Sequence, residues 1–154
     1  MPGQGEQAPN VTLQLPDGSS TTIGDFAGRK LVLYFYPKDD TIGCTAEAQA
    51  FTELANAFAA AGAVVLGVSK DTPKKHQKFI DKYGLKVALA TDVEGDVCEA
   101  FGVWVEKSMY GRQYMGIERA TFLIAADGRI AKVWRKVKVA GHAAEVLEAV
   151  KALG

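Results

Sequence analysis

Cysteine is scarce in this chain, and its scarcity limits the chemistry that the chain can carry. Only Cys44 and Cys98 occur among the 154 residues, and they stand far apart in the sequence. Two such residues do not form a disulfide framework, and no Cys-x-x-Cys pair of the disulfide-reductase type occurs. In a reducing cytosol an accessible cysteine is more often catalytic than structural, so each of the two has to be considered separately.

Net charge and long apolar runs are also lacking. The chain has 18 basic and 18 acidic residues, and clusters such as Arg135 to Lys138 are short and interrupted, so nucleic acid is not an expected partner. The apolar stretch from Ala57 to Val68 contains two glycines and is shorter than the roughly 20 residues that cross a bilayer. The first residues have neither the basic start nor the apolar centre of a secretory signal. We therefore expect a cytoplasmic protein without a membrane segment.

Length and composition indicate one domain. A chain of 154 residues with 48% apolar content can build one proper core and is short for two. The hydrophobic pattern changes its period several times along the chain, which is typical of an α/β domain. We expect residues 1–154 to form this one domain.

The first third of the chain predicts a β-hairpin and a buried strand. Val11 to Leu15 and Thr21 to Ile23 flank the turn-forming residues Pro16 to Gly18, which indicates two antiparallel strands. Leu31 to Tyr36 is apolar throughout and predicts a central strand covered on both faces.

A helix and a second strand follow. Apolar residues recur at helical spacing from Cys44 to Ala61, and Gly62 stands where a left-handed residue would close the helix. Val64 to Leu66 then predicts a second buried strand. If both strands share one sheet, a strand–helix–strand unit of this kind is a right-handed parallel crossover.

The remaining pattern completes an alternating α/β order. Its predicted elements are a helix from Pro73 to Tyr83, a strand from Val87 to Leu89, helical turns within Asp92 to Phe101, a hairpin of Thr121 to Ile124 with Ile130 to Trp134, and a C-terminal helix through Val146 to Leu153. Trp104 to Glu118 has no clear period and predicts a long irregular segment with a functional or interface role. This order is that of a thioredoxin-like domain with a central mixed sheet flanked by helices and an N-terminal hairpin.

The stretch from Tyr34 to Phe51 is the most informative of the chain. Its apolar run breaks at Pro37, and the chain restarts as a helix with Cys44 in the first turn. Unpaired backbone N–H groups and the positive end of the helix dipole both favour a thiolate there. Gly43 and the polar residues before it predict an exposed helix start, so reactivity rather than packing explains Cys44.

Residues of three other types fit a reaction of this thiolate with a peroxide. Pro37 ends the strand, offers no competing N–H group and shields the sulfur from solvent. The hydroxyl of Thr41 can accept from an incoming peroxide and donate to sulfur. A guanidinium would favour the thiolate and donate to the leaving oxygen, and Arg119, just ahead of a predicted strand, is the candidate.

These residues belong to a wider resemblance. Tyr34 to Phe51, Gly102 to Trp104, Glu106 to Ser108 and Glu118 to Ile124 resemble the peroxiredoxins, and among them the bacterioferritin comigratory protein or peroxiredoxin Q subfamily. The resemblance covers nearly the whole chain. It implies a thioredoxin-like fold and reduction of hydrogen peroxide and organic hydroperoxides, with electrons from thioredoxin or another thiol. We expect no cofactor, and a monomer or a weak homodimer.

The resemblance also assigns roles to individual residues. Cys44 matches the peroxidatic cysteine, Pro37 and Thr41 match its motif partners, and Arg119 matches the active-site arginine. Glu47, one helical turn after Cys44, matches an acidic residue of the family that could keep this arginine in place. From the residues alone, Glu47 could equally be an acid that complements the helix dipole.

The chain departs from its relatives at two points. Ile42 stands where many members have proline, which removes no catalytic atom. Members with a resolving cysteine carry it five residues after the peroxidatic one, here Gln49, or on the next helix, which here has none. We therefore expect a one-cysteine cycle resolved by an external thiol, and expect Cys98 to be a small buried apolar residue.

Two alternatives remain open at this point. A two-cysteine cycle would use Cys98, and a non-catalytic thioredoxin-fold binding module or holdase would use the segment from Trp104 to Glu118. His76 and His142 are too isolated to predict a metal site or a Cys–His hydrolase, and we expect both at the surface or at helix caps.

Overall fold

A computed structural model of the chain describes residues 2–92 and 96–154. The strands, in chain order, are β1 (Thr12–Gln14), β2 (Ser20–Thr22), β3 (Lys30–Phe35), β4 (Ala63–Ser69), β5 (Ala88–Thr91), β6 (Trp104–Met109), β7 (Arg112–Ile117), β8 (Ala120–Ile124) and β9 (Ile130–Trp134). The α-helices are α1 (Ile42–Glu53), α2 (Ala55–Ala60), α3 (Pro73–Tyr83), α4 (Asp96–Ala100) and α5 (His142–Ala152). No helix among the described residues has the length and apolar character needed to span a membrane.

Seven strands form one mixed sheet in the order β2-β1-β5-β4-β3-β8-β9. The pairs β3–β4 and β4–β5 are parallel, and the other neighbours are antiparallel. The predicted N-terminal hairpin, the β3–β4 crossover and the β8–β9 hairpin are therefore confirmed. β3 lies inside the sheet with neighbours on both sides, as its continuous apolar run indicated.

The sheet separates two apolar clusters. Successive side chains of a strand point to opposite faces, so Leu33 and Phe35 of β3 enter one cluster while Tyr34 and Tyr36 enter the other. The first cluster contains the buried apolar residues of α4, and the second contains those of α1, α2, α3 and α5. Both faces of the sheet are thus covered.

The predicted helix from Cys44 to Ala61 is two helices, not one. α1 begins at Ile42 and ends at Glu53, and the N–H group of Leu54 bonds within the last turn before α2 starts at Ala55. Phe51 and Phe58 still contact each other across the break, with ring centroids 5.7 Å apart. Because the apolar face continues on one side, the hydrophobic pattern carries no signal of this break.

α3 has the bounds that its capping residues predicted. The side chain of Thr72 accepts a hydrogen bond from the backbone N–H of Lys75, at 3.2 Å, and Pro73 occupies the first turn. Gly84 closes the helix at φ 60°, a left-handed conformation that glycine adopts without strain. Helix α3 therefore starts and stops for local reasons.

The segment from Trp104 to Glu118 is not irregular, contrary to the prediction. β6 and β7 pair as an antiparallel hairpin through a turn at Tyr110 and Gly111, both at positive φ. Most side chains of the two strands are exposed or only partly buried, so no apolar alternation marks them. Tyr110, at the tip, is 99% exposed.

Both histidines are buried, so the expectation of a surface position is wrong, although His142 does lie at a helix start, directly after the cap residue Gly141. His142 begins α5, and its Nε2 atom lies 2.8 Å from the hydroxyl of Thr121. The ring packs edge-on against Phe51 and Trp134. Burial lowers the pKa of His142. His76, on α3, is fully buried among polar partners described below.

Candidate active site

Cys44 lies in the first turn of α1, directly after the loop that leaves β3. Its side chain is 2% exposed, which corrects the prediction of an exposed position, whereas Ile42 is 94% exposed. Two residues along a helix are separated by about 200° around its axis, so the first helical residue faces solvent and the third faces the sheet. The helix start is exposed, and the sulfur is not.

Arg119 joins Cys44 to a second residue of the same helix. β8 runs antiparallel to β3 with Ala120 opposite Phe35, and this register brings the residue before β8 to the end of β3. Nη2 of Arg119 donates to Sγ of Cys44 at 3.3 Å, and Nη1 donates to Oε1 of Glu47 at 2.6 Å. A Cβ atom at Gly43 would lie 3.2 Å from Nη2, so glycine leaves space for the guanidinium.

The charges at the site act on one another. Burial alone would lower the pKa of Arg119, but Glu47 and Cys44 outweigh it and raise that pKa. Burial raises the pKa of Glu47 to about 7 even though Arg119 opposes the shift. Oε2 of Glu47 is buried and has no hydrogen-bond partner among the residues that the structure describes. The structure thus places Glu47 against Arg119, the arrangement that the resemblance implied.

Pro37 and Thr41 lie in the loop between β3 and α1, and both are exposed. Thr41 precedes the first helical residue, and its hydroxyl donates to the carbonyl oxygen of Lys38 at 2.9 Å. This bond uses the hydroxyl hydrogen, so the sulfur receives its hydrogen bond from Arg119 instead. The hydroxyl oxygen of Thr41 can still accept a hydrogen bond.

Two residues at the site were missed from the sequence. Tyr34 has a buried hydroxyl that finds no hydrogen-bond partner within residues 2–92 and 96–154. Burial, together with the charges of Glu47 and Cys44, raises the pKa of Tyr34. Lys107 of β6 donates to the carbonyl oxygen of Ile117 at 2.5 Å, two residues before the candidate arginine. Burial and the charge of Arg119 lower the pKa of Lys107. Lys107 belongs to the hairpin that the sequence pattern left irregular.

Cys98 lies on α4, apart from this site. Its side chain is fully buried in the apolar cluster on the other face of the sheet. Burial raises the pKa of its thiol well above the ordinary range, and its backbone N–H donates to Asp92 at 3.0 Å. Among residues 2–92 and 96–154, no three His, Cys, Asp or Glu side chains come together as a metal site would require.

Comparisons with known proteins give a consistent result. The AhpC/TSA family matches residues 4–133. A putative peroxiredoxin Bcp of Coxiella burnetii is 50% identical over 143 residues, which are 93% of this chain and 95% of that protein. Peroxiredoxin Bcp of Bacillus subtilis is 48% identical over 147 residues, 96% of this chain and 94% of that protein.

A solved structure has the same fold. It is that of the bacterioferritin comigratory protein of Xanthomonas campestris, trapped as intermediate and ligand complexes in work on its alkyl peroxide reduction. It superposes with a TM-score of 0.88 and 49% identity and covers 93% of this chain and 91% of its own.

Proposed function

Because this chain belongs to the AhpC/TSA family, as a peroxiredoxin of the Bcp or Q type, we propose that Cys44 is its peroxidatic residue. Membership makes the chain a thiol peroxidase with a thioredoxin-like fold, which takes a peroxide as substrate and a thiol as reductant. Hydrogen peroxide and organic hydroperoxides are the proposed substrates, and the alkyl peroxide activity of the Xanthomonas relative supports the second class.

The observation that carries this proposal is the double contact of Arg119. One guanidinium nitrogen donates to the sulfur of Cys44, and another is held by the buried carboxyl group of Glu47. A guanidinium in this position stabilises the thiolate, and it can donate to the peroxide oxygen that gains charge as the O–O bond breaks. The bond to Glu47 fixes the orientation of the Arg119 guanidinium.

The proposed first step consumes one peroxide. The Cys44 thiolate attacks one peroxide oxygen, an S–O bond forms and the O–O bond breaks, which leaves a sulfenic acid on Cys44. The other oxygen leaves and takes a proton, giving water or an alcohol. In this proposal the hydroxyl oxygen of Thr41 accepts a hydrogen bond from the peroxide, and Pro37, which is exposed, shields the sulfur from solvent.

The proposed second step uses an external thiol such as thioredoxin. Its thiolate attacks the sulfenic sulfur, releases water and forms a mixed disulfide, and a second thiol of the reductant then frees Cys44. Two observations support this one-cysteine cycle: α1 and α3 carry no further cysteine, and Cys98 is buried in the opposite cluster. In this proposal residues 1–154 form one peroxiredoxin domain, a monomer or a weak homodimer, and the cytoplasm stays its predicted location.

The two cysteines provide a matched pair of variants for the test. We expect Cys44→Ser to abolish peroxide consumption while the circular dichroism spectrum is retained, because a serine hydroxyl is essentially un-ionised at pH 7. Cys98→Ser should keep turnover with a thioredoxin system near wild type. Most of the wild-type turnover remaining in Cys44→Ser would contradict the assignment of the nucleophile.

A further inference from the structure

His76 is a buried histidine that the proposed reaction does not use, yet it is bonded to the peroxidatic loop. It lies on α3, and its Nδ1 atom is 2.7 Å from Oδ2 of Asp39, in the loop between β3 and α1. Its Nε2 atom is 3.0 Å from the carbonyl oxygen of Ala90 in β5. Both side chains are buried, His76 completely.

The hydrogen-bond partners restrict the protons in this cluster. A carbonyl oxygen only accepts, so Nε2 of His76 carries a hydrogen that it donates to Ala90. The hydroxyl of Tyr36 donates to Oδ1 of Asp39 at 2.5 Å. One further hydrogen lies between Nδ1 of His76 and Oδ2 of Asp39, on either atom. Both oxygens of Asp39 are therefore occupied by bonds to fixed, buried partners.

The backbone of Asp39 is held as well. Its N–H group donates to Oδ2 of Asp71 at 2.8 Å, and the same oxygen accepts from the hydroxyl of Ser69 at 2.7 Å. A buried polar network in which every member is satisfied is rigid, and losing one partner leaves the others unpaired at a high cost. Asp39 is thus fixed at its side chain and at its backbone.

Asp39 stands between the two loop residues that the proposed reaction uses. Pro37 is two residues before it and Thr41 two residues after it. The hydroxyl of Thr41 donates to the carbonyl oxygen of Lys38, the residue next to Asp39. The contacts that hold Asp39 therefore also hold the carbonyl group of Lys38, which orients the hydroxyl of Thr41.

From this geometry we propose that Asp39 and His76 are positioning residues for peroxide reduction. They hold the segment from Pro37 to Thr41 in the conformation that presents the hydroxyl of Thr41 to a peroxide at Cys44. Neither side chain touches the sulfur or the substrate. The inference rests on the proposed function, and it adds a helix, α3, that supplies no reacting group.

A second contact between the same loop and the same helix serves as the control. Asp40 accepts hydrogen bonds from Lys82 at 2.8 Å and from Tyr83 at 2.5 Å. The ion pair with Lys82 is largely exposed, and solvent screens exposed pairs of this kind, so they contribute little to stability. Loss of Lys82 removes a loop-to-α3 contact without disturbing the buried cluster.

The test uses two amides that each replace one nitrogen of His76. An asparagine carries a nitrogen at the δ position, where Nδ1 meets Asp39, and a glutamine carries one at the ε position, where Nε2 meets Ala90. We expect His76→Gln to lower the second-order rate constant with hydrogen peroxide at least about tenfold, because a misplaced catalytic group is this costly. His76→Asn should retain more of the rate, and Lys82→Met should equal wild type.

A second readout separates positioning from general damage. Iodoacetamide alkylates the Cys44 thiolate without needing the hydroxyl of Thr41, so its rate constant should change less than about twofold in His76→Gln when the peroxide rate falls about tenfold. Tyr36→Phe removes one donor to Asp39 and should shift the same ratio in the same direction. It also provides the test if His76→Gln does not fold.

Three outcomes would overturn the inference. They are a peroxide rate within twofold of wild type in a folded His76→Gln or Tyr36→Phe protein, an equal loss in the Gln and Asn variants, and an equal fall of the peroxide and alkylation rates. Each leaves the proposed function standing if wild type still consumes peroxide and Cys44→Ser does not. Retained turnover in Cys44→Ser would instead remove the proposed function.

Discussion

Cys44 and Cys98 lie on opposite faces of the central sheet. Cys44 packs in the cluster that receives Tyr34 of β3, and Cys98 packs in the cluster that receives the next residue of that strand, Phe35. A disulfide requires Cα atoms about 4.4 to 6.8 Å apart. The central sheet lies between the two cysteines, so their Cα atoms cannot come this close while the sheet is intact. The arrangement supports an external thiol as the partner of oxidised Cys44.

The first prediction concerns the oxidised state of the chain. With one equivalent of peroxide and no donor, we expect intact-mass analysis to show oxygen added at Cys44 and little loss of two hydrogens. Cys98→Ser should give the same mass change as wild type. A peptide linking Cys44 to Cys98, together with collapse of donor-dependent turnover in Cys98→Ser, would establish the two-cysteine cycle instead.

The second prediction concerns the guanidinium beside the sulfur. Replacing Arg119 by alanine should cost about 1.5 to 3 kcal/mol of transition-state stabilisation, the range for a charge-assisted hydrogen bond, or roughly 10- to 150-fold in rate. Lysine should rescue only part of the rate because it lacks the planar fork. Stopped-flow rates with peroxide provide the measurement.

Arg135 is the matched control for that variant. It is exposed and forms two hydrogen bonds of 2.8 Å with Glu118, the residue next to Arg119. Arg135→Ala should therefore leave the peroxide rate near wild type. Equal rates for Arg119→Ala and wild type would remove Arg119 from the active site.

The third prediction follows from the raised pKa of Glu47. Its pKa rises from 4.5 to about 7 on folding because the carboxyl group is buried, so between these values the folded state binds more protons than the unfolded chain. The free energy of unfolding should therefore decline as pH rises through this window, by an amount on the order of 3 kcal/mol. Above pH 7 the decline should level off.

Glu47→Gln removes this titration. Urea unfolding of both proteins at pH 4.5, 6 and 8 gives the difference in unfolding free energy, and we expect it to move in favour of the variant as pH rises. Because the comparison uses the change with pH, the lost contact with Arg119 enters as a constant offset. A difference that does not vary with pH would mean that folding leaves the pKa of Glu47 unchanged, which would contradict the prediction.

The fourth prediction concerns the close packing of Gly67 against Tyr34 and Leu89. Gly67 of β4 lies opposite Tyr34, and a Cβ atom there would come within 2.6 Å of the tyrosine ring and 2.9 Å of Leu89. Gly67→Ala should lower the free energy of unfolding by about 1–3 kcal/mol, as overpacking of a core does. Gly3→Ala is the control in urea unfolding, because a Cβ atom at Gly3 would meet no atom of the described part of the chain within 4 Å. Equal midpoints would show that β4 can shift without cost.

Local signals made much of the fold predictable. Thr72, Pro73 and Gly84 bound α3 through contacts that span a few residues, so its ends could be predicted from the sequence. The β6–β7 hairpin could not, because its exposed strands show no alternation and its turn uses Tyr110 and Gly111 rather than a strong turn pair. Its existence depends on pairing that a hydrophobic pattern does not record.

Some residues of the candidate site could also be predicted from the sequence, and others could not. The spacing of Pro37, Thr41 and Cys44 is local and was visible in the sequence, and Arg119 was found through its place before a predicted strand. The bonds of His76 were not predictable, because they join residues from a loop, a helix and another strand. Cys44 was expected to be exposed because sequence context describes the helix start and not the direction of one side chain.

The interruption at Leu54 has a consequence for access to the sulfur. Since Cys44 is 2% exposed, we expect a protein thiol to reach its sulfur through a local opening of α1, which is distinct from global unfolding. α1 ends before Leu54, and Phe58 of α2 is buried in the core, where its ring also contacts Phe51 of α1. We therefore expect the segment that opens to be the 12-residue helix α1, while α2 and β4 stay folded.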